Sequence, residues 1–179
     1  MKIEDAYYYK NLLIMGFFDD YDTWLNNLLE SESPLSDIVL ELSCCSSDTK
    51  RTVSLLHNYC EGKMLDQIEI CNRIRLFFKR EYHSNRMNKQ EITENMYRVS
   101  QNIAEACESG ISADLWKSMY CVNDYYCLAD KGVISWRKFD TAFFSYLDEG
   151  IPINDDLIWE GERIRRPSLL ERLKRLFSK

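Results

Sequence analysis

Apolar residues along this chain recur at intervals of three and four, the spacing that places them on one face of a helix. The first such stretch runs from about Ile3 to Met15, with Leu12 and Leu13 set against Tyr8 and Tyr9, and stops near Gly16. A second begins at Asp20 or Asp22, where an acidic side chain can cap the orphan amides, and carries Trp24, Leu25, Leu28 and Leu29. Ser33-Pro34 reads as a restart, a capping hydroxyl followed by proline at the first helical position, ahead of Leu35, Ile38, Val39 and Leu42. Ser46-Ser47-Asp48 breaks and recaps the chain, and Val53, Leu55, Leu56 and Tyr59 lead to Gly62 as a stop.

Four more segments follow. One runs from Met64 to about Tyr82 through Leu65, Ile68, Cys71, Ile74, Leu76, Phe77 and Phe78. Asn88 with Glu91 makes a capping box for the next, whose stripe is Ile92, Met96, Val99, Ile103 and Ala106 and whose end is Gly110. Ser112 opens a seventh with Leu115, Trp116, Met119, Tyr120 and Val122, reaching to near Gly132, with a turn at Asp124-Tyr125-Tyr126 as the alternative. Ser135 opens an eighth with Trp136, Phe139, Phe143, Tyr146 and Leu147, ending at Gly150. The pattern predicts an all-α fold, an irregular multi-helix bundle or short solenoid of about eight helices.

Beyond Gly150 the period is lost. Ile151 to Gly161 reads as an ordered loop or short strand, and Ser168 to Phe177 as a short basic amphipathic helix with Leu169, Leu170, Leu173, Leu176 and Phe177. The expected organisation is a helical domain over 1–150, with an acidic loop and basic C-terminal helix over 151–179 packed on it or extending from it.

Composition supports this reading. The 179 residues are 45% hydrophobic and 29% charged with only 6 Gly and 3 Pro, too few for the turns of an all-β chain. Neither G-x-G-x-x-G nor G-x-x-x-x-G-K occurs, which disfavours a nucleotide-binding α/β sheet. The acidic opening Met1-Lys2-Ile3-Glu4-Asp5 has no apolar run after it, and no stretch approaches the roughly 20 residues of a membrane span. The seven cysteines (Cys44, Cys45, Cys60, Cys71, Cys107, Cys121, Cys127) are odd in number and read as mostly buried, reduced residues. A cytoplasmic address is expected.

Charge is unevenly spread. Residues 163–179 hold seven bases and one acid, while the other 162 residues hold 16 bases and 28 acids, a net charge of −12. Such a body repels nucleic acid and anionic lipid and favours basic partners. The basic tail has three readings: docking on its own acidic body, contact with anionic lipid or nucleic acid, or a frayed terminus.

Candidate chemistry is sparse. His57 and Cys60 share a helix face, the arrangement a Cys–His dyad needs, but the same pair suits an interfacial histidine beside a core cysteine. No Cys-x-x-Cys pair supplies zinc spacing. Tyr7, Tyr8 and Tyr9 cover most of a helix circumference, so at least one of them should be exposed. No catalytic residue, metal or cofactor is expected, and the chain reads as a non-enzyme. The acids that matter as a group are Asp19, Asp20 and Asp22 near the start, Glu30 and Glu32 next, and Asp148, Glu149, Asp155, Asp156, Glu160 and Glu162 near the end, the last six around Ile158 and Trp159. An aromatic anchor inside an acidic rim is how a binder of a cationic protein surface would look.

The text Trp24-Leu25-Asn26-Asn27-Leu28-Leu29-Glu30, followed by Ser33-Pro34-Leu35-Ser36-Asp37-Ile38-Val39-Leu40-Glu41-Leu42-Ser43, in a small, acidic, cysteine-containing helical chain, resembles the immunity proteins of bacterial contact-dependent growth inhibition and related polymorphic toxin systems. The resemblance implies binding of a cognate toxin domain, often a basic nuclease, and masking of its active site or substrate surface. It carries over no functional residue. The alternative is a non-catalytic helical regulatory or scaffolding protein that binds its partner in grooves between helices.

Overall fold

The computed structural model describes residues 1–45, 47–103 and 111–153. Among these the chain is all-helical: α1 (Ile3–Met15), α2 (Asp19–Ser31), α3 (Asp37–Cys44), α4 (Thr49–Cys60), α5 (Gln67–His83), α6 (Lys89–Ile103), α7 (Ile111–Asp130) and α8 (Trp136–Phe144), the last running on into a π-helical turn, Ser145–Glu149. No strand occurs among the described residues. Ala106, Cys107 and Gly110, and everything beyond Ile153, lie outside them, including the expected acidic loop and basic helix.

Four of the helices start where a side chain satisfies the orphan amides. Asp48 accepts from the Arg51 amide and Asp66 from the Glu69 amide. The capping box of α6 is reciprocal: Glu91 Oε2 accepts from the Asn88 amide at 2.8 Å and Asn88 Oδ1 from the Glu91 amide at 3.0 Å. Ser135 caps α8 through the Lys138 amide.

Two expected helix starts are corrected. Helix α3 begins at Asp37, not at Ser33-Pro34, because the Glu32 carboxylate accepts from the Ser36 hydroxyl and amide and holds the intervening residues as a loop. Helix α5 begins at Gln67 behind its Asp66 cap, leaving Met64 almost fully exposed. The helical reading of Asp124-Tyr125-Tyr126 holds over its turn alternative, and Tyr125 points into the core as α7 passes straight through.

Helix α1 is the axis of the bundle, packed against α2, α4, α5 and α6. That explains why none of its three tyrosines is exposed, contrary to the expectation from their spacing. Tyr7 donates to the Asn102 carbonyl, Tyr8 lies under the Arg73 guanidinium, and Tyr9 stacks on Trp24 with centroids 4.5 Å apart. Helices α6 and α7 form an antiparallel hairpin, and α8 with its π turn packs across α7 and α5. Tyr146, fully buried at their junction, donates to the Leu115 carbonyl. Helices α2 and α3 form an arm laid on α1 and α4.

Candidate partner-binding surface

The sequence-predicted acids separate into two environments. Asp148 lies in the π turn against α5, whose Arg75, Lys79 and His83 recur every four residues and so share one face. Arg75 is buried and donates to the Leu147 carbonyl at 2.7 Å. Lys79 donates to the Asp148 carbonyl at 2.9 Å, and His83 Nε2 lies 2.8 Å from Asp148 Oδ1. Three basic side chains thus meet the carbonyl end of a helix, where its dipole favours positive charge. Partial burial pushes the Asp148 carboxyl up, but hydrogen bonds from His83 and Lys79 outweigh it and hold the group below its ordinary value. Gly150 closes the turn at φ 72°, and a Cβ there would stand 3.2 Å from the Arg75 guanidinium. Asp148 is therefore tied into the fold. Glu149 beside it is exposed.

The acids of α2 behave differently. Asp20 pairs with Arg80 of α5, whose guanidinium also lies over the Phe77 ring. Asp19 and Asp22 are exposed and make no ion pair among the described residues. The same holds for Glu30, Asp37 and Glu41 further along the arm. Glu32 and Asp48 are spent on structure, Glu32 on Ser36 and the Met1 amine and Asp48 on the α4 cap. A signal that reading from caps and stripes misses lies here: from Asn11 to Thr49 the chain has eight acids and no Lys, Arg or His.

Between the acids stand apolar side chains. Phe18 is 46% exposed and Leu40 44%. Phe18 forms the wall between two clefts. One, of about 460 Å³, is floored by Phe17, Phe77 and Met87 and rimmed by Asp19, Asp20, Arg80, Glu81, Arg86 and Glu91. Glu81 is buried there and accepts from Arg80 and Arg86, the latter at 2.7 Å. The other, of about 300 Å³, is lined by Leu13, Tyr21, Asp22 and Thr52. Burial raises the Tyr21 hydroxyl to about 12, with Asp22 adding to the rise, so it stays a neutral phenol. Acidic rim and aromatic floor together suit a Lys or Arg side chain.

No family model, curated protein or solved structure matches this chain. Its own geometry therefore carries the functional reading.

A third cleft, of about 680 Å³, opens on the far side of the α5–α6 connection, with Met87 shared between it and the 460 Å³ cleft. Tyr82, Tyr126 and Trp136 line it with Asn85, Asn88 and Gln90, and Trp136 is 46% exposed.

His57 is exposed, whereas Cys60 is buried between α4 and α1 with its thiol 3.9 Å from the Ile3 carbonyl. Burial pushes the Cys60 thiol up despite Lys10 and Lys63 nearby, the opposite of what a thiolate nucleophile requires. Cys45, Cys60, Cys71 and Cys121 are buried, Cys44 and Cys127 are exposed, and no disulfide joins them. No helix among the described residues is long and apolar enough to cross a membrane. Asp155, Asp156, Trp159, Glu160 and Glu162 lie outside the described residues.

Proposed function

We propose that this protein is a non-catalytic immunity protein, which binds a basic toxin domain in the cytoplasm and masks its active site or substrate surface. The observation that carries the reading is the base-free block from Asn11 to Thr49, whose five outward acids on α2 and α3 have no ion pair among the described residues and flank exposed Phe18 and Leu40. Acids left without partners keep their field for an incoming cation, while those neutralised internally, such as Asp148, do not. Apolar anchors within a charged rim give such a contact its affinity, and the rim gives it speed and selectivity. The resemblance of the 24–43 text to toxin-immunity proteins points the same way.

The test is recovery of the partner by the tagged full-length chain from lysate of its native source. The proposal expects a basic protein in one-to-one ratio that is toxic when expressed alone and harmless when co-expressed with this chain. Asp19→Lys with Asp22→Lys should abolish the protection without loss of fold. A recovered partner that is non-toxic, or protection indifferent to those reversals, refutes the reading. A helical scaffold is the second reading, favoured by the 680 Å³ cleft around Trp136. It expects Trp136→Ala, rather than the α2 reversals, to release the partner.

A further inference from the structure

The acidic arm and the basic tail of this chain are opposite in charge. Residues 163–179 carry seven bases and one acid, and Leu169, Leu173 and Leu176 recur among them at intervals of four and three. The cleft walled by Phe18 offers the complement: an aromatic floor of Phe17 and Phe77, with four acids (Asp19, Asp20, Glu81, Glu91) outnumbering Arg80 and Arg86 on its rim. We infer that the basic segment 163–179 is the resident occupant of this cleft, docking on the start of α2 within its own chain.

The connection is long enough. The described chain ends at Ile153, which is buried and donates its amide to Ser118 Oγ at 2.8 Å. Ten residues on, Arg163 can lie up to about 33–36 Å away. Gly150, three residues before Ile153, abuts Arg75 of α5, and Arg80, about 7.5 Å further along the axis of the same helix, is the residue that pairs with Asp20. One helix, α5, therefore touches both the π turn and the rim of the cleft. The cleft already holds guanidinium in this manner, since Arg80 sits between the Asp20 carboxylate and the Phe77 ring. Docking within the chain also has a high effective concentration in its favour, because the tether removes the cost of bringing two molecules together. The same face then has two users: the tail in the unbound protein and, under the proposed function, a basic partner that displaces it. The tail inference stands without that partner.

Zero-length carbodiimide coupling on the dilute full-length chain tests it, with peptide mapping of the links. Lys174 or Lys179 should couple to Asp19, Asp20, Asp22 or Glu91 within one chain, and the yield should fall at least fivefold in 0.5 M salt, where screening acts over roughly 4 Å. Asp19→Asn with Asp22→Asn should lower the remaining links to Asp20 several-fold while leaving the circular dichroism unchanged. Links chiefly to acids elsewhere, links between isotopically distinguished copies, or no links from these lysines would each overturn the inference. Because only this chain is present, the result is independent of whether a toxin partner exists.

Discussion

The π turn after α8 and the arm formed by α2 and α3 are both rich in acids, yet they do different things with them. At the π turn the charges are closed into the fold: Arg75, Lys79 and His83 descend one face of α5 and meet Leu147 and Asp148. On the arm, Asp19, Asp22, Glu30, Asp37 and Glu41 have no such neighbours among the described residues. As acids along the chain, the two regions look alike. Asking which acids are already partnered separates a structural element from a surface with charge to offer.

The largest expected effect lies at the π turn. Arg75→Met removes the donor to Leu147 and leaves a buried carbonyl unpaired, which should cost about 2–3 kcal/mol in denaturant unfolding. Gly150→Ala strains the left-handed φ and drives a Cβ against the guanidinium, and should cost about 1–2 kcal/mol. If both variants were neutral, the turn would not be the closed element described here.

Asp148 gives a smaller, pH-dependent signature. Its folded pKa is depressed, so its contribution is present above the unfolded value of about 3.9 and is lost as pH falls through the lower folded value. Asp148→Asn should therefore reduce stability near neutrality and flatten its decline in acid, as thermal unfolding between pH 2 and 7 would reveal. Retention of the full acid-side slope would contradict the assignment.

On the arm the same class of change should do less to stability. Asp19→Lys with Asp22→Lys should cost no more than about 1–2 kcal/mol, chiefly by reversing charge in the first turn of α2, because both side chains are exposed and lack ion pairs among the described residues. A loss of several kcal/mol would mean that these acids are structural after all.

Much of the fold was legible because its signals are local. Asp48, Asn88 with Glu91, and Ser135 cap their helices within three residues, so their meaning is complete in a short window. Ser33-Pro34 misleads because the same pair suits a helix start and a loop, and Glu32 bonding forward to Ser36 decides for the loop. The cover over the three tyrosines of α1 is not legible in their spacing, because it comes from the four helices packed against α1, a property of the assembled bundle. The pairing of Asp148 is hidden from the sequence for a similar reason: its basic partners lie 65 and 69 residues away. The acidic arm itself was in plain view as an uninterrupted absence of bases, a signal spread too widely for any motif.

The central claim is that the α2–α3 face is a steering surface for a basic partner. Stopped-flow association of the full-length chain with its recovered partner domain, at ionic strengths of about 0.01 M and 1 M where the screening length falls from roughly 30 to 3 Å, addresses it most directly. The account predicts an on-rate at least tenfold faster at low salt, with most of that advantage lost in the Asp19→Lys, Asp22→Lys variant. An on-rate indifferent to both salt and the reversals would contradict it.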